Sequence, residues 1–313
     1  MFHTLTIYQM EKLYRKSTLL FIAGLLAFSV TTFAQHDGAK HSGHKQTLKS
    51  KKLNAINFIK VTGGLGMSTY YGDICDGWDC YQFRHSFSLG IYYRYNQRFC
   101  FKLDGFWTRL SNDDRIYKNE RNLGFRTDVF ELAGSVMYDI FPFQHKFEQR
   151  RTVEPYVHAG IGLAYFNPKG KLDGKWHNLH ELQTEGVNYS RATPVIPFGI
   201  GLRTRLRHDL NLSLEFTYRK TFTDYLDDVS GKYYKNPNDI KAFPDGPNST
   251  AAQLADKTDF GYYPERVRGN PNKKDGYFTF NFRLEYMIEA FSDMRSKGNL
   301  NRIVTGKKTI KRR

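Results

Sequence analysis

The feature that most constrains this chain is a sustained alternation of apolar and polar residues over segments longer than ordinary soluble strands. In "GYFTFNFRLEYMIE", Phe278, Phe280, Phe282, Leu284, Tyr286 and Ile288 share one face, and Thr279, Asn281, Arg283 and Glu285 the other. "LNLSLEFTYR" sets Leu210, Leu212, Leu214, Phe216 and Tyr218 against Asn211, Ser213, Glu215, Thr217 and Arg219. "SFSLGIYYRY" sets Phe87, Leu89, Ile91, Tyr93 and Tyr95 against Ser88, Gly90, Tyr92 and Arg94. Only an extended strand sends neighbours to opposite faces in this way. Eight such segments are predicted, at about 57–71, 84–95, 97–111, 123–141, 153–166, 194–206, 210–220 and 276–289. A soluble strand usually has about 5–6 residues, whereas a tilted transmembrane strand needs about 9–11. No amphipathic helix of comparable strength competes.

The connections alternate in length. "YNQR" and "RHDL" are tight, "FPFQHKFEQRRT" is moderate, and the connections after segments one, three, five and seven are longer. Short turns at one end and long loops at the other are the asymmetry of an outer-membrane barrel, whose short turns face the periplasm. The fold class expected is therefore all-β: an eight-stranded antiparallel transmembrane β-barrel of OmpA- or OmpW-like size, with long extracellular loops, over residues 56–290. An even strand number puts both termini on the periplasmic side.

The two faces fit this arrangement. Trp107, Tyr165 and Tyr218 fall near the long-loop end of the apolar face, and Tyr95, Phe99, Tyr138 and Tyr286 near the short-turn end, as two interfacial girdles. The opposite face carries Arg94, Lys102, Asp104, Glu131, Arg203, Arg205, Glu215, Arg219, Arg283 and Glu285, with Gly160, Gly162, Gly199 and Gly201 among them. An eight-stranded barrel is just wide enough inside for side chains to fill it. Opposite charges there should pair into a plug rather than line a pore, since an unpaired buried charge costs several kcal/mol. A soluble sandwich or lipocalin-like barrel would use the same alternation turned inside out, and period alone does not choose between them.

Composition enters at this point. Mean hydropathy is negative, which excludes a polytopic helical membrane protein but not a barrel. The one long uncharged apolar run, Ser17 to Gln35, follows Lys12, Arg15 and Lys16 and contains Thr32-Phe33-Ala34, a small-x-small pattern. Residues 1–34 read as a secretory signal. Either Met1 or Met10 could serve as the start, and a retained anchor is the alternative. The formal charge of +16 is concentrated in a basic linker, 35–55, and a basic tail, 291–313. After export, acidic protein surfaces or anionic headgroups are better partners for such segments than nucleic acid.

Several residue groups are candidate sites. Cys75 and Cys80 flank "DGWD" and, in an exported chain, could be joined or free; Cys100 lies in an alternating segment as a small core residue. His177 and His180 are three apart but lack an evident third metal ligand, and His36, His41 and His44 lie in the flexible linker. "TFTDYLDDVSG" brings Asp224, Tyr225, Asp227 and Asp228 into one run without the spacing of an EF-hand loop. These residues are expected to anchor a long loop to the barrel rim by accepting backbone N–H and tyrosine O–H bonds, with calcium as the alternative. No nucleophile elbow or HExxH motif occurs; no catalytic residue or cofactor is expected.

Five stretches together resemble one family: "GLGMSTYYGD" (Gly64 to Asp73), "RNLGFR" (Arg121 to Arg126), "PYVHAGIGLAYFNPKG" (Pro155 to Gly170), "KWHNLHELQTEG" (Lys175 to Gly186) and "TFTDYLDDVSG" (Thr221 to Gly231). They look like the PorG-type outer-membrane barrels of the type IX secretion apparatus of Bacteroidota. The resemblance implies a non-enzymatic docking or scaffold barrel with periplasmic ring proteins and outer-membrane lipid as partners, in a machine that in some bacteria also serves gliding motility. The rival readings are a surface- or solute-binding barrel unrelated to secretion, and an outer-membrane barrel hydrolase.

Overall fold

The computed structural model describes residues 58–75, 80–114, 121–144, 147–233, 249–257 and 267–288. The predicted signal, linker and tail lie outside the described residues, as do His36, His41 and His44. Nine strands form in chain order: β1 (Phe58–Tyr71), β2 (Arg84–Arg94), β3 (Phe99–Asp113), β4 (Gly124–Asp139), β5 (Val153–Leu172), β6 (Lys175–Asn178), β7 (Ala192–Arg205), β8 (Leu210–Thr221) and β9 (Gly276–Ile288). Among the described residues two short helices, α1 (Leu179–Leu182) and α2 (Thr250–Ala255), lie in the long connections.

Eight of these strands close a barrel. Each pairs antiparallel with a neighbour on both sides, in the order β4-β3-β2-β1-β9-β8-β7-β5, and β4 pairs with β5 to complete the ring. The chain ends of the barrel meet where β1 pairs with β9, from Ile59 opposite Ile288 to Tyr71 opposite Gly276. Closure leaves no unpaired edge within the eight-stranded ring, the condition for a sheet to stand in hydrocarbon.

The structure departs from the sequence expectation at β5. The strand predicted to end at 166 runs on to Leu172. Its extension pairs with β4 on one side, Arg126 opposite Lys169, and with β6 on the other, Lys169 opposite Asn178. Pro168 and Gly170 are poor strand formers by themselves, so cross-strand pairing holds them extended where local pattern reads as loop.

The orientation of the two faces decides the solvent. Outward Ile161, Leu89 and Leu132 are 74%, 71% and 60% exposed, while inward Arg203 and Arg283 are each 1% exposed. A soluble barrel would need the reverse. An outward belt of Leu, Ile, Val and aromatic side chains on every wall far exceeds the few hundred Å² that soluble surfaces tolerate; hydrocarbon is the medium that fits it. Tyr165 at one end of the belt and Tyr95, Phe99 and Tyr286 at the other are outward and 41–55% exposed.

The interior is fuller than small residues and charges alone would make it. Tyr92, Tyr156, Phe106 and Tyr277 also point inward and are buried. Tyr156 lies directly opposite Gly201 in the β5–β7 register. A Cβ on Gly201 would come within 2.1 Å of the Tyr156 ring, so the glycine provides the space the ring occupies. Cys100 packs with Tyr92, Met137 and Tyr156 inside the barrel.

Candidate functional site

The predicted lumen charges meet in three layers along the barrel axis. Toward the short-turn end, Glu285 receives Lys60 Nζ at 2.6 Å and Arg203 Nε at 2.9 Å. Arg203 also reaches Asp139 at 3.1 Å and Glu154 at 3.5 Å, and Arg94 pairs with Asp139 at 2.6 Å. In the middle, Lys102 lies 2.8 Å from Glu215, Arg283 lies 2.8 Å from Asp104, and Tyr156 donates to Glu215 at 3.1 Å. Closer to the long-loop end, Arg219 pairs with Glu131 at 3.0 Å, and Tyr277 donates to the same carboxylate at 2.6 Å. The sequence reading did not single out Lys60, Asp139 or Glu154. Lys60 was findable, because it falls on the polar face of β1 beside Thr62.

Above the charged layer the lumen changes character. Tyr70, Phe106, Leu110, Phe125, Val129, Phe166 and Val195 form an apolar cluster inside the long-loop mouth. Leu226 and Val229, from the loop after β8, are buried in it at 0% and 1% exposure. The "TFTDYLDDVSG" stretch therefore folds down into the mouth as a lid. A cavity beneath it, lined by Ile74, Leu123, Leu179, Asp227 and Arg268 among others, measures about 10 Å³, room for about one water.

The carboxylates of that run have unequal roles. Asp227 accepts the Tyr70 hydroxyl at 2.6 Å and the Val229 N–H at 2.9 Å. Asp275, which the sequence reading missed, lies 2.7 Å from the same hydroxyl and accepts the Leu226 N–H at 2.9 Å. A phenol carries a single proton, so both short contacts can be hydrogen bonds only if one of the two carboxyls keeps its own. Burial pushes the pKa of Asp227 and of Asp275 well up, and the mutual repulsion of the two pushes Asp275 further.

Asp228 adopts a left-handed backbone, φ 65°, which aspartate tolerates better than most residues. It accepts Tyr189 O–H at 2.7 Å and the Thr184 hydroxyl, and its backbone carbonyl accepts Arg268. Burial raises its pKa to about 6 against the pull of Arg268. Arg268 also pairs with Glu185 at 2.9 Å, and Glu185 accepts the N–H groups of Ser230 and Gly231, each at 3.0 Å. Tyr225 stacks on Tyr189, ring centroids 4.3 Å apart. The loops after β5 and β8 are thus pinned to each other as well as to the barrel. Arg121 adds a third connection, donating to the carbonyls of Arg268 at 2.6 Å and Asp73 at 2.9 Å.

Asp224 sits in a different environment from its two neighbours in the run. It is buried at 2% exposure, and neither carboxyl oxygen has a hydrogen-bond partner among the described residues. Burial raises its pKa to about 7; the nearby Ser230 hydroxyl and Lys274 pull it down, and Asp73 and Glu185 push it up. A carboxyl so raised keeps its proton in acid and loses it progressively as the pH rises through neutrality. No trio of His, Cys, Asp or Glu among the described residues is arranged to hold a metal ion. Cys75 and Cys80 are joined as a disulfide in the loop after β1. His177 lies on β6 opposite Gly170, and His180 Nε2 contacts the Tyr189 carbonyl at 2.9 Å. The histidine pair thus sits within the architecture of that loop.

The fold and this interior define a class: a small membrane-spanning β-barrel of the outer-membrane type, its lumen crossed by paired charges and the loop after β8 seated in its long-loop mouth. Within that class, the chain belongs to the family described as a domain of unknown function, DUF6089, whose model matches residues 47–243. No curated protein matches it. Similar solved barrels include Neisserial surface protein A, at 14% identity and TM-score 0.36, over 72% of this chain and 95% of that one. Ail, the attachment invasion locus protein of Yersinia pestis, is 11% identical at TM-score 0.37, over 74% and 99%, in a complex with the heparin analogue sucrose octasulfate. OprG of Pseudomonas aeruginosa is 9% identical at TM-score 0.35, over 75% and 96%.

Proposed function

We propose that the protein is a non-enzymatic docking component of the type IX protein secretion apparatus, set in the outer membrane with its short turns and both chain ends in the periplasm. The observation that carries this reading is the closed mouth. Leu226 and Val229 of the signature run are buried inside the barrel, and the lumen below them is crossed by ion pairs at 2.6–3.0 Å. A barrel so filled offers surfaces rather than a passage. The motif resemblance of the five stretches supplies the apparatus, and an even strand number with short turns on one side supplies the orientation.

The periplasmic ring is the partner this reading assigns. The basic linker 35–55 and tail 291–313 would meet an acidic surface on it, a contact weakened by salt. A supporting role in gliding motility would follow from the same apparatus. The test is deletion of the gene, followed by comparison of secreted proteins and by re-expression of a chain lacking residues 295–313. Loss of secretion is expected on deletion, with salt-sensitive recovery of ring proteins reduced for the truncated chain. An unchanged set of secreted proteins removes the reading and leaves a surface-binding barrel in its place.

A further inference from the structure

Above the apolar belt, one wall of the barrel carries cations that form no ion pair with any described residue. On the outward face of β4 and β5 the paired rows run Leu132–Leu163, Phe130–Tyr165, Asp128–Asn167 and Arg126–Lys169 toward the long loops. Arg126 and Lys169 are like charges placed directly opposite, an arrangement that destabilises a sheet unless something lies between them. Lys171 follows two residues on, opposite Trp176 of β6, and Lys175 sits at the turn of the same hairpin. The one carboxylate on these rows, Asp128, is already engaged twice by Arg109, at 2.7 and 3.3 Å. Glu181 accepts from Asn178. No described residue forms an ion pair with Arg126, Lys169, Lys171 or Lys175.

The guanidinium is also held in place. Arg126 lies 4.3 Å from the centre of the Trp176 ring, and its Nε is buried with no hydrogen-bond partner. A stacked guanidinium can still present its terminal Nη donors to an anion in the ring plane. Four residues separate Arg126 from Phe130 along β4, about 13 Å of strand or roughly 10 Å of height at a barrel's tilt. That height suits a headgroup whose acyl chains lie against Leu132 and Leu163, which are 60% and 58% exposed.

We propose that the outward face of the β4–β5–β6 wall binds the phosphate of a lipid headgroup in the leaflet around the long-loop end, with Arg126, Lys169 and Lys171 as donors and Trp176 holding the arginine. The lipid's chains lie on the same face of the same two strands, so headgroup and tails are recognised as one ligand. This goes beyond the docking role and does not depend on it.

The test uses the full-length barrel in detergent micelles doped with bisphosphorylated lipid A or with its dephosphorylated form, the retained lipid being counted by native mass spectrometry. The phosphorylated lipid should be retained preferentially, and Lys169→Gln/Lys171→Gln should weaken retention roughly thirtyfold, as the loss of two cations near a phosphate predicts. Heat-modifiable migration on gels checks that the variant is folded. If the double variant fails to fold, Trp176→Ala replaces it and should lose retention severalfold by freeing Arg126. Equal retention of the dephosphorylated lipid overturns the proposal, as does unchanged retention in the folded variant. Complete displacement by inorganic phosphate at equal concentration would mark a site for a free anion and overturns it as well.

Discussion

The lumen and the side of the mouth that holds Asp224, Asp227 and Asp275 bury carboxyl groups in opposite ways. In the lumen each carboxylate faces a cation: Glu285 has Lys60 and Arg203, Asp139 has Arg94 and Arg203, and Glu131 has Arg219. In the mouth, Asp227 and Asp275 share a tyrosine hydroxyl, and Asp224 forms no ion pair among the described residues. A buried charge persists only if it is paired, and a buried acid without a cation keeps its proton instead. The comparison separates a permanent ionic strut from a lid whose stability depends on pH.

The largest expected effect breaks the strut. Glu285→Gln leaves Lys60 and Arg203 without their shared carboxylate and should cost about 3–5 kcal/mol, read as a lower urea midpoint for unfolding from phospholipid vesicles. A midpoint within error of the parent would mean that the ion pairs at 2.6 and 2.9 Å are not what holds that layer together. A smaller and local loss is expected in the mouth. Leu226→Ala removes an apolar anchor from the cluster it shares with Phe125 and Phe166 and should destabilise the lid by about 2–5 kcal/mol. Protease cleavage between β8 and β9 should then quicken while the urea midpoint of the barrel stays near that of the parent.

The smallest effect carries the sharpest sign. Asp224 has an ordinary pKa of 3.8, raised in the folded chain to about 7. A carboxyl raised in this way contributes stability that is fully present below its ordinary value and is lost as pH rises through the folded one. The lid should therefore resist protease best near pH 4 and lose protection up to about pH 7–8. Asp224→Asn, neutral throughout, should flatten that part of the profile and slow cleavage at pH 8. A profile that is equally steep in the variant would assign the titration to Asp227, Asp228 or Asp275 instead.

Much of this architecture was legible locally. The period-two rows of β2, β8 and β9 gave both the strands and the membership of each face, because a strand's side-chain alternation is a property of its own backbone. The polar row of β9 exposed Arg283 and Glu285 as lumen residues before any partner was known. The end of β5 was not legible, since Pro168 and Gly170 interrupt the pattern and only pairing with β4 and β6 keeps them extended. Asp224, Asp227 and Asp228 looked equivalent in the run and are not. Their differences come from Tyr70, Thr184, Tyr189 and Arg268, which lie at least 39 residues away in sequence.

By itself the sequence determined the number of long strands, the alternation that sorts each residue to one of two faces, and the short- and long-loop ends. Only the tertiary structure decided which face meets hydrocarbon and which charge meets which, as when Lys60 finds Glu285 across a separation of 225 residues. The physical reason is range: alternation is set between adjacent residues, whereas the stagger of a closed ring is set by all its strands at once.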